Sequence, residues 1–276
     1  MNKIDAHQHF WQFDPVRDNW ITDDMSVIQK DFLPDDLKPV LKNNSINGTV
    51  AVQASQSESE TTFLISLSEK YDFIKAVVGW IDFQADDIME MLAKYKTFPI
   101  VKGFRHVLQG ELQRDLMLQP FFKKGIAALQ PFGFTYDLLI LPDQLKFCIE
   151  LVAAFPEQKF VIDHIAKPNI KNGEIEDWQH EIKKIAAYPN VYCKISAMTT
   201  EADWKTWKQQ DFEPYLDVIV NAFGTRRIMF GSDWPVCLVA GSYEQTLGIV
   251  TNYFSTFSKE DQQQFFGLNA INFYDL

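Results

Sequence analysis

The chain has 276 residues, 46% of them hydrophobic, and carries 26 Lys and Arg against 37 Asp and Glu, a formal net charge of −11. Such a chain can bury one large core. Its acidity argues against nucleic-acid and anionic-membrane partners, which need clustered Lys and Arg, and leaves small molecules and proteins.

No stretch reaches membrane-spanning length, and the start lacks the basic and apolar stretches of a signal peptide, so a soluble, cytoplasmic protein is expected. Cys148, Cys193 and Cys237 are odd in number and far apart. They read as reduced, buried thiols rather than a disulfide framework or a Cys-based zinc knot. No internal repeat, low-complexity tract or flexible linker marks a boundary, so one domain over residues 1–276 is expected.

The first element is the run Ile4-Asp5-Ala6-His7-Gln8-His9. A strand has period two, so His7 and His9 point the same way and form a ready polar pair. Residues 10–36 follow, rich in aromatics and Asp and holding Pro15 and Pro34, which suggests an excursion serving as wall or lid rather than a simple helix. Short apolar runs then recur at residues 48–53, 75–80, 100–105 and 133–137, and again at 160–164, 191–196 and 227–230. With the first run they make eight candidate strands. Helical spacing lies between them, most plainly over residues 142–155, where Leu145, Cys148, Ile149 and Val152 recur and Pro156 supplies the stop.

Strand and helix in alternation imply parallel pairing, and eight strands imply a closed (β/α)8 TIM barrel. A doubly wound open sheet competes, but its dinucleotide loop needs a glycine-rich turn where His9-Phe10-Trp11-Gln12-Phe13 stand. In a parallel barrel every strand's C-terminal end opens on one face, and functional groups belong there. Those ends carry His7 and His9, Gln53, Trp80, Arg105 with His106, Tyr136 with Asp137, Asp163 with His164 and Lys167 close behind, Lys194 with Ser196, and Asp233 with Trp234. His180 instead sits in a charged, amphipathic helix and is expected at the surface. Trp11, Trp80 and Trp234 are either packing residues or aromatic faces for the C–H side of a sugar. Lys194 either points inward to a partner or reaches solvent at the rim.

The runs Ile4 to Trp11, Gly103-Phe104-Arg105-His106, Asp163-His164-Ile165-Ala166-Lys167-Pro168, Cys193-Lys194-Ile195-Ser196 and Phe230-Gly231-Ser232-Asp233-Trp234-Pro235 together resemble the amidohydrolase 2 family of the metal-dependent hydrolase superfamily, in particular its L-fuconolactonase-like sugar lactonases. The resemblance spans nearly the whole chain. It implies a distorted (β/α)8 barrel, water-driven opening of a sugar-derived (aldono-) lactone in carbohydrate catabolism, and roles for His7, His9, His164 and Asp233 around the reacting carbonyl. The pattern departs from binuclear members at the fifth strand, where Tyr136-Asp137 replace a common histidine ligand, and no lysine on the fourth strand is placed to bridge two ions. Two options stay open: one divalent ion, zinc, held by His7, His9 and Asp233 with His164 as fourth ligand or base, or metal-free catalysis.

Under this reading Asp233 deprotonates a water, and Arg105, His106, Gln53, Trp80, Lys194 and Trp11 are candidates for gripping the sugar. Two other functions are kept: a decarboxylase of an aromatic acid on the same kind of barrel mouth, and a catalytically silent sugar-binding protein. The sequence fixes neither the sugar and ring size nor the oligomeric state.

Overall fold

The structure, a computed structural model, describes residues 2–276. All eight apolar runs form strands: β1 (Ile4–Gln8), β2 (Gly48–Val52), β3 (Ile74–Gly79), β4 (Val101–His106), β5 (Thr135–Leu138), β6 (Phe160–Ile162), β7 (Val191–Ile195) and β8 (Ile228–Phe230). They form one sheet in chain order, and each pairs in parallel with the next. After each strand comes a helix: α1 (Pro34–Asn43), α2 (Glu58–Ser68), α3 (Ile88–Lys96), α4 (Pro120–Leu129), α5 (Leu145–Ala154), α6 (Glu176–Ile185), α7 (Gln209–Phe223) and α8 (Tyr243–Phe254). Two more, α9 (Lys259–Gln263) and α10 (Asn269–Tyr274), follow. The fold is the (β/α)8 barrel that the alternation implies.

The strands are buried on both faces because helices cover the outside while side chains fill the inside, which is why they read as unbroken apolar runs. Inside, Ala6, Val50, Val52, Ala76, Val78, Val161 and Met229 pack with Ala270, Phe273 and Tyr274 of α10. So α10 plugs the barrel from the end opposite the strands' C-termini.

Closure between β8 and β1 falls largely to the segment just past β8. Ser232 N–H donates to Asp5 Oδ1 at 2.9 Å, Asp233 N–H to the His7 carbonyl at 2.8 Å, and His9 N–H to the Trp234 carbonyl at 2.7 Å. Asp5, fully buried, also accepts Tyr243 Oη–H at 2.9 Å. The barrel seam is therefore stitched by the residues that flank His7, His9 and Asp233.

Residues 10–36 form the expected excursion, with a short 3-10 helix (Asp23–Ile28) and an antiparallel bridge between Trp11 and Phe32. The three cysteines are free and buried. Among the described residues no helix is long and apolar enough to cross a membrane.

Candidate active site

Three neighbouring strands leave the barrel through left-handed backbone. Past β6, His164, Ile165, Ala166 and Lys167 have φ of 56°, 50°, 60° and 50°; past β7 Ala197 has 54°, and past β8 Asp233 has 57°. An L-residue pays about 1–2 kcal/mol for this conformation, so four in a row persist only where their surroundings hold them. Here Trp178 of α6 donates its indole N–H to the Ile165 carbonyl at 2.7 Å, and Lys167 N–H closes the turn onto the His164 carbonyl at 2.8 Å. The turn delivers His164 to the mouth. Close packing fixes its neighbour on β1: a Cβ at Gly231 would lie 2.6 Å from the His7 Cβ, so only glycine leaves room for this histidine.

His7, His9, His164 and Asp233 meet at one point. His7 Nε2 lies 3.2 Å from His9 Nε2, and Asp233 Oδ1 lies 3.2 Å from His9 Nε2, 3.7 Å from His7 Nε2 and 3.9 Å from His164 Nε2. The outer ring nitrogens are tied down: His9 Nδ1 is 2.7 Å from the Val52 carbonyl, and His164 Nδ1 is 2.9 Å from Ser196 Oγ. A carbonyl only accepts, so His9 donates Nδ1–H to Val52, and its Nε2 is the nitrogen that faces the cluster. Burial drives His7 and His164 well below the ordinary imidazole value, so both are neutral near pH 7. Burial alone would raise Asp233, but His164 and His9 beside it hold its carboxyl below the usual range.

This donor set fits a divalent metal. Two ring nitrogens facing each other at 3.2 Å need a proton or a cation between them, and a tetrahedral ion with bonds of about 2.0–2.1 Å spaces its donors about 3.3 Å apart. His7, His164 and Asp233 each offer a ligand atom within 4.8 Å of the others. The sequence reading put His7, His9 and Asp233 in that role with His164 in reserve; the geometry gives His164 a full place and leaves His9 touching both His7 and Asp233.

Beneath the cluster lies a buried ionic layer. Asp163 Oδ2 is 3.0 Å from Arg105 Nη1, and its Oδ1 is 3.2 Å from His7 Nδ1 and 3.0 Å from Lys194 Nζ. Lys194 Nζ also sits 2.5 Å from Asp137 Oδ2 and 3.2 Å from His7 Nδ1. Burial would lift Asp163, yet Lys194, His7 and Arg105 hold it well below the carboxylate range; Asp137 is raised to about 6 by burial, against the pull of Lys194. Two cations among two carboxylates leave the layer near neutrality. Asp163 was read only as a strand end. Its position just before His164, on the strand that ends at the mouth, was the available signal.

Above the cluster opens a cavity of about 630 Å³, lined by His9, Arg105, His164 and Asp233 and walled by Arg17, Trp20, Gln56, Gln109 and Lys167 among others. Of the six candidate gripping residues only Arg105 lines it. Lys194 is sealed in the ionic layer rather than at the rim. Gln53 is buried behind Arg105, donating to its carbonyl at 3.2 Å while Arg105 Nη2 donates to the Gln53 carbonyl. His106 is tied to Glu111 at 2.7 Å, and Trp80 is held through its backbone by the Thr61 hydroxyl. Trp11 donates to the Lys30 carbonyl and packs edge-on against Trp20 and Phe32, so it backs the wall that Trp20 presents. Arg17 and Trp20 come from the excursion after β1, which is a wall as anticipated, though period-two reasoning could not name its residues. His180 lies exposed on α6. A larger cavity of about 860 Å³ near the start of α6 holds none of the converging groups and is walled by Asp143, Glu174, Glu176, Asp177 and Glu181.

A family profile described as Amidohydrolase matches residues 4–276. The chain belongs to the amidohydrolase family. Within it, the chain is 36% identical to an L-fucono-1,5-lactonase of Burkholderia multivorans, an alignment covering 99% of this chain and 96% of that one. It is 34% identical to an L-fucono-1,5-lactonase of Burkholderia ambifaria, covering 99% and 95%. The crystal structure of an amidohydrolase from Burkholderia multivorans with bound zinc superposes with a TM-score of 0.97 at 35% identity, covering all of both chains. The family's barrel and the metal-capable cluster of His7, His164 and Asp233 thus coincide in one chain.

Proposed function

We propose that this protein hydrolyses a sugar-derived lactone, with L-fucono-1,5-lactone as the first substrate to try, and that zinc is the ion its cluster holds. The observation that carries the reading is the meeting of His9, His164 and Asp233 on the floor of a cavity, with His7 buried against them, in a chain more than a third identical along its length to an L-fucono-1,5-lactonase.

Asp233 is the base. Its carboxylate, kept ionised by the imidazoles around it, takes a proton from water, and that water attacks the lactone carbonyl carbon. The ring C–O bond breaks, the ring oxygen leaves with a proton, and a hydroxy acid results. Arg105, fixed by Asp163 and the Gln53 carbonyl and lining the cavity, directs donors at the oxyanion as charge grows on it. His7, His164 and Asp233, with His9 adjoining, would hold a zinc ion that, when bound, would supply a Lewis acid and a lowered water pKa. Arg17, Trp20, Gln56, Gln109 and Lys167 offer the polar and aromatic surface that fixes a hydroxylated ring. The two alternatives are not favoured: relatives 34–36% identical over the whole chain are lactonases, not decarboxylases or binding proteins.

A pH-indicator screen of five- and six-carbon aldonolactones, with elemental analysis of the purified protein, tests the reading. Acid release from an L-fuconic-type lactone and about one zinc per chain are expected. A panel without turnover contradicts the reaction, and full activity in metal-free protein removes zinc from it.

A further inference from the structure

We infer that Tyr274 of α10 is a positioning residue for His7, acting from the closed end of the barrel through Asp137 and Lys194. Tyr274, Asp137, Lys194 and His7 are all buried, with side chains that meet in sequence. Tyr274 Oη–H donates to Asp137 Oδ2 at 2.9 Å, and Lys194 Nζ meets the same oxygen at 2.5 Å. Lys194 Nζ then stands 3.2 Å from His7 Nδ1 and 3.0 Å from Asp163 Oδ1. Lys194 Nζ thus joins Asp137 to the Asp163–His7 pair at the foot of the cluster.

The weight falls on Tyr274 because Asp137 is held through one oxygen only: its Oδ1 finds no hydrogen-bond partner among the described residues. The Tyr274 hydroxyl and the Lys194 ammonium together set the tilt of that carboxylate, and without the hydroxyl Asp137 and Lys194 can swing together relative to His7. Packing does not ask for the hydroxyl. Tyr274 sits among Ala6, Val50, Ala76 and Met229, where a phenylalanine ring would serve equally, and its ring also lies 5.5 Å beneath Lys194 Nζ. A polar group in such a place is retained only with a partner. The plug of the barrel is therefore also the lower support of the site.

The test is Tyr274→Phe, which keeps the ring and the plug and deletes the hydroxyl. Turnover of the lactone should fall by about 5- to 20-fold with KM within about twofold, the signature of a misplaced reacting group rather than lost binding. In histidine-labelled protein the ¹⁵N resonances of His7, assigned by their loss in His7→Asn, should shift. Phe273→Leu, which trims the ring packed edge-on against Tyr274 but leaves its hydroxyl in place, should keep kcat. Asp137→Asn should show the Tyr274→Phe signature, and the double variant should lose less than the product of the two single losses. The proposal is overturned if Tyr274→Phe keeps wild-type kcat and His7 resonances, or if Phe273→Leu loses as much kcat. Should Tyr274→Phe not fold, Asp137→Asn decides by the same two readings. The kinetic arm rests on the lactonase reading and the spectra do not, so a wild-type enzyme inert toward lactones would sink that reading while His7 still reports on the relay.

Discussion

Asp5 and Asp233 are both buried carboxylates at the barrel seam, and their neighbours send them in opposite directions. Asp233 faces imidazoles and stays ionised; Asp5 faces backbone amides and the Tyr243 hydroxyl, and burial raises it to about 6 from an ordinary 3.8. A folded-state value above the unfolded one means that the native chain binds the proton more tightly. The stabilisation is therefore complete below about pH 4 and is lost as pH rises through 6. Asparagine imitates the protonated form, keeping an oxygen for the amides of His7 and Ser232. In urea titrations the stability of the wild type relative to Asp5→Asn should fall by about 3 kcal/mol between pH 4 and 7, two units at about 1.4 kcal/mol each. A difference independent of pH would show that Asp5 is not raised.

The left-handed turn at residues 164–167 belongs to the scale of elements, because one hydrogen bond from α6 anchors it. Trp178→Phe removes the indole N–H and leaves the Ile165 carbonyl without its partner at a buried position. Thermal melts should register a loss of about 1–3 kcal/mol, and kcat should fall with little change in KM as His164 loosens. Unaltered kcat would mean that the turn holds its shape without Trp178. This turn also marks where sequence reading stopped. Period-two logic placed His164 at a strand end, but nothing in Asp163-His164-Ile165-Ala166-Lys167 announces four left-handed residues, since none is glycine. The same logic leaves Lys194 open between an inward partner and the rim, because alternation gives the face of a strand and not the height along the barrel axis; the structure buries it against Asp137.

At the scale of the whole molecule, the barrel does what chain order alone could not: it brings His7, His164 and Asp233, drawn from three strands, within ligand distance of one another. The eight strands were legible because buried parallel strands are apolar runs, and polar residues at their ends stand out, but the family resemblance is what set His7, His9, His164 and Asp233 apart among them. The wall formed by Arg17 and Trp20 was not, since a long irregular excursion has no period to read. Arg17, Arg105 and Lys167 line the cavity, each paired with a carboxylate (Asp18, Asp163 and Glu201), so they offer directed donors to a hydroxylated ligand rather than a net positive field. If the cluster holds zinc, saturating the ion should stabilise the fold by about 2.7 kcal/mol at a hundredfold excess over Kd, raising Tm by about 5–10 °C. His164→Ala should erase that rise, and a rise that survives it would place the ion elsewhere.

Everything in the proposed chemistry turns on the Asp233 carboxylate. Steady-state kinetics of Asp233→Asn on the best lactone substrate test it directly: kcat should drop by about two to four orders of magnitude with KM little changed. Turnover near that of the wild type would contradict the assignment of the base and, with it, the account of this site.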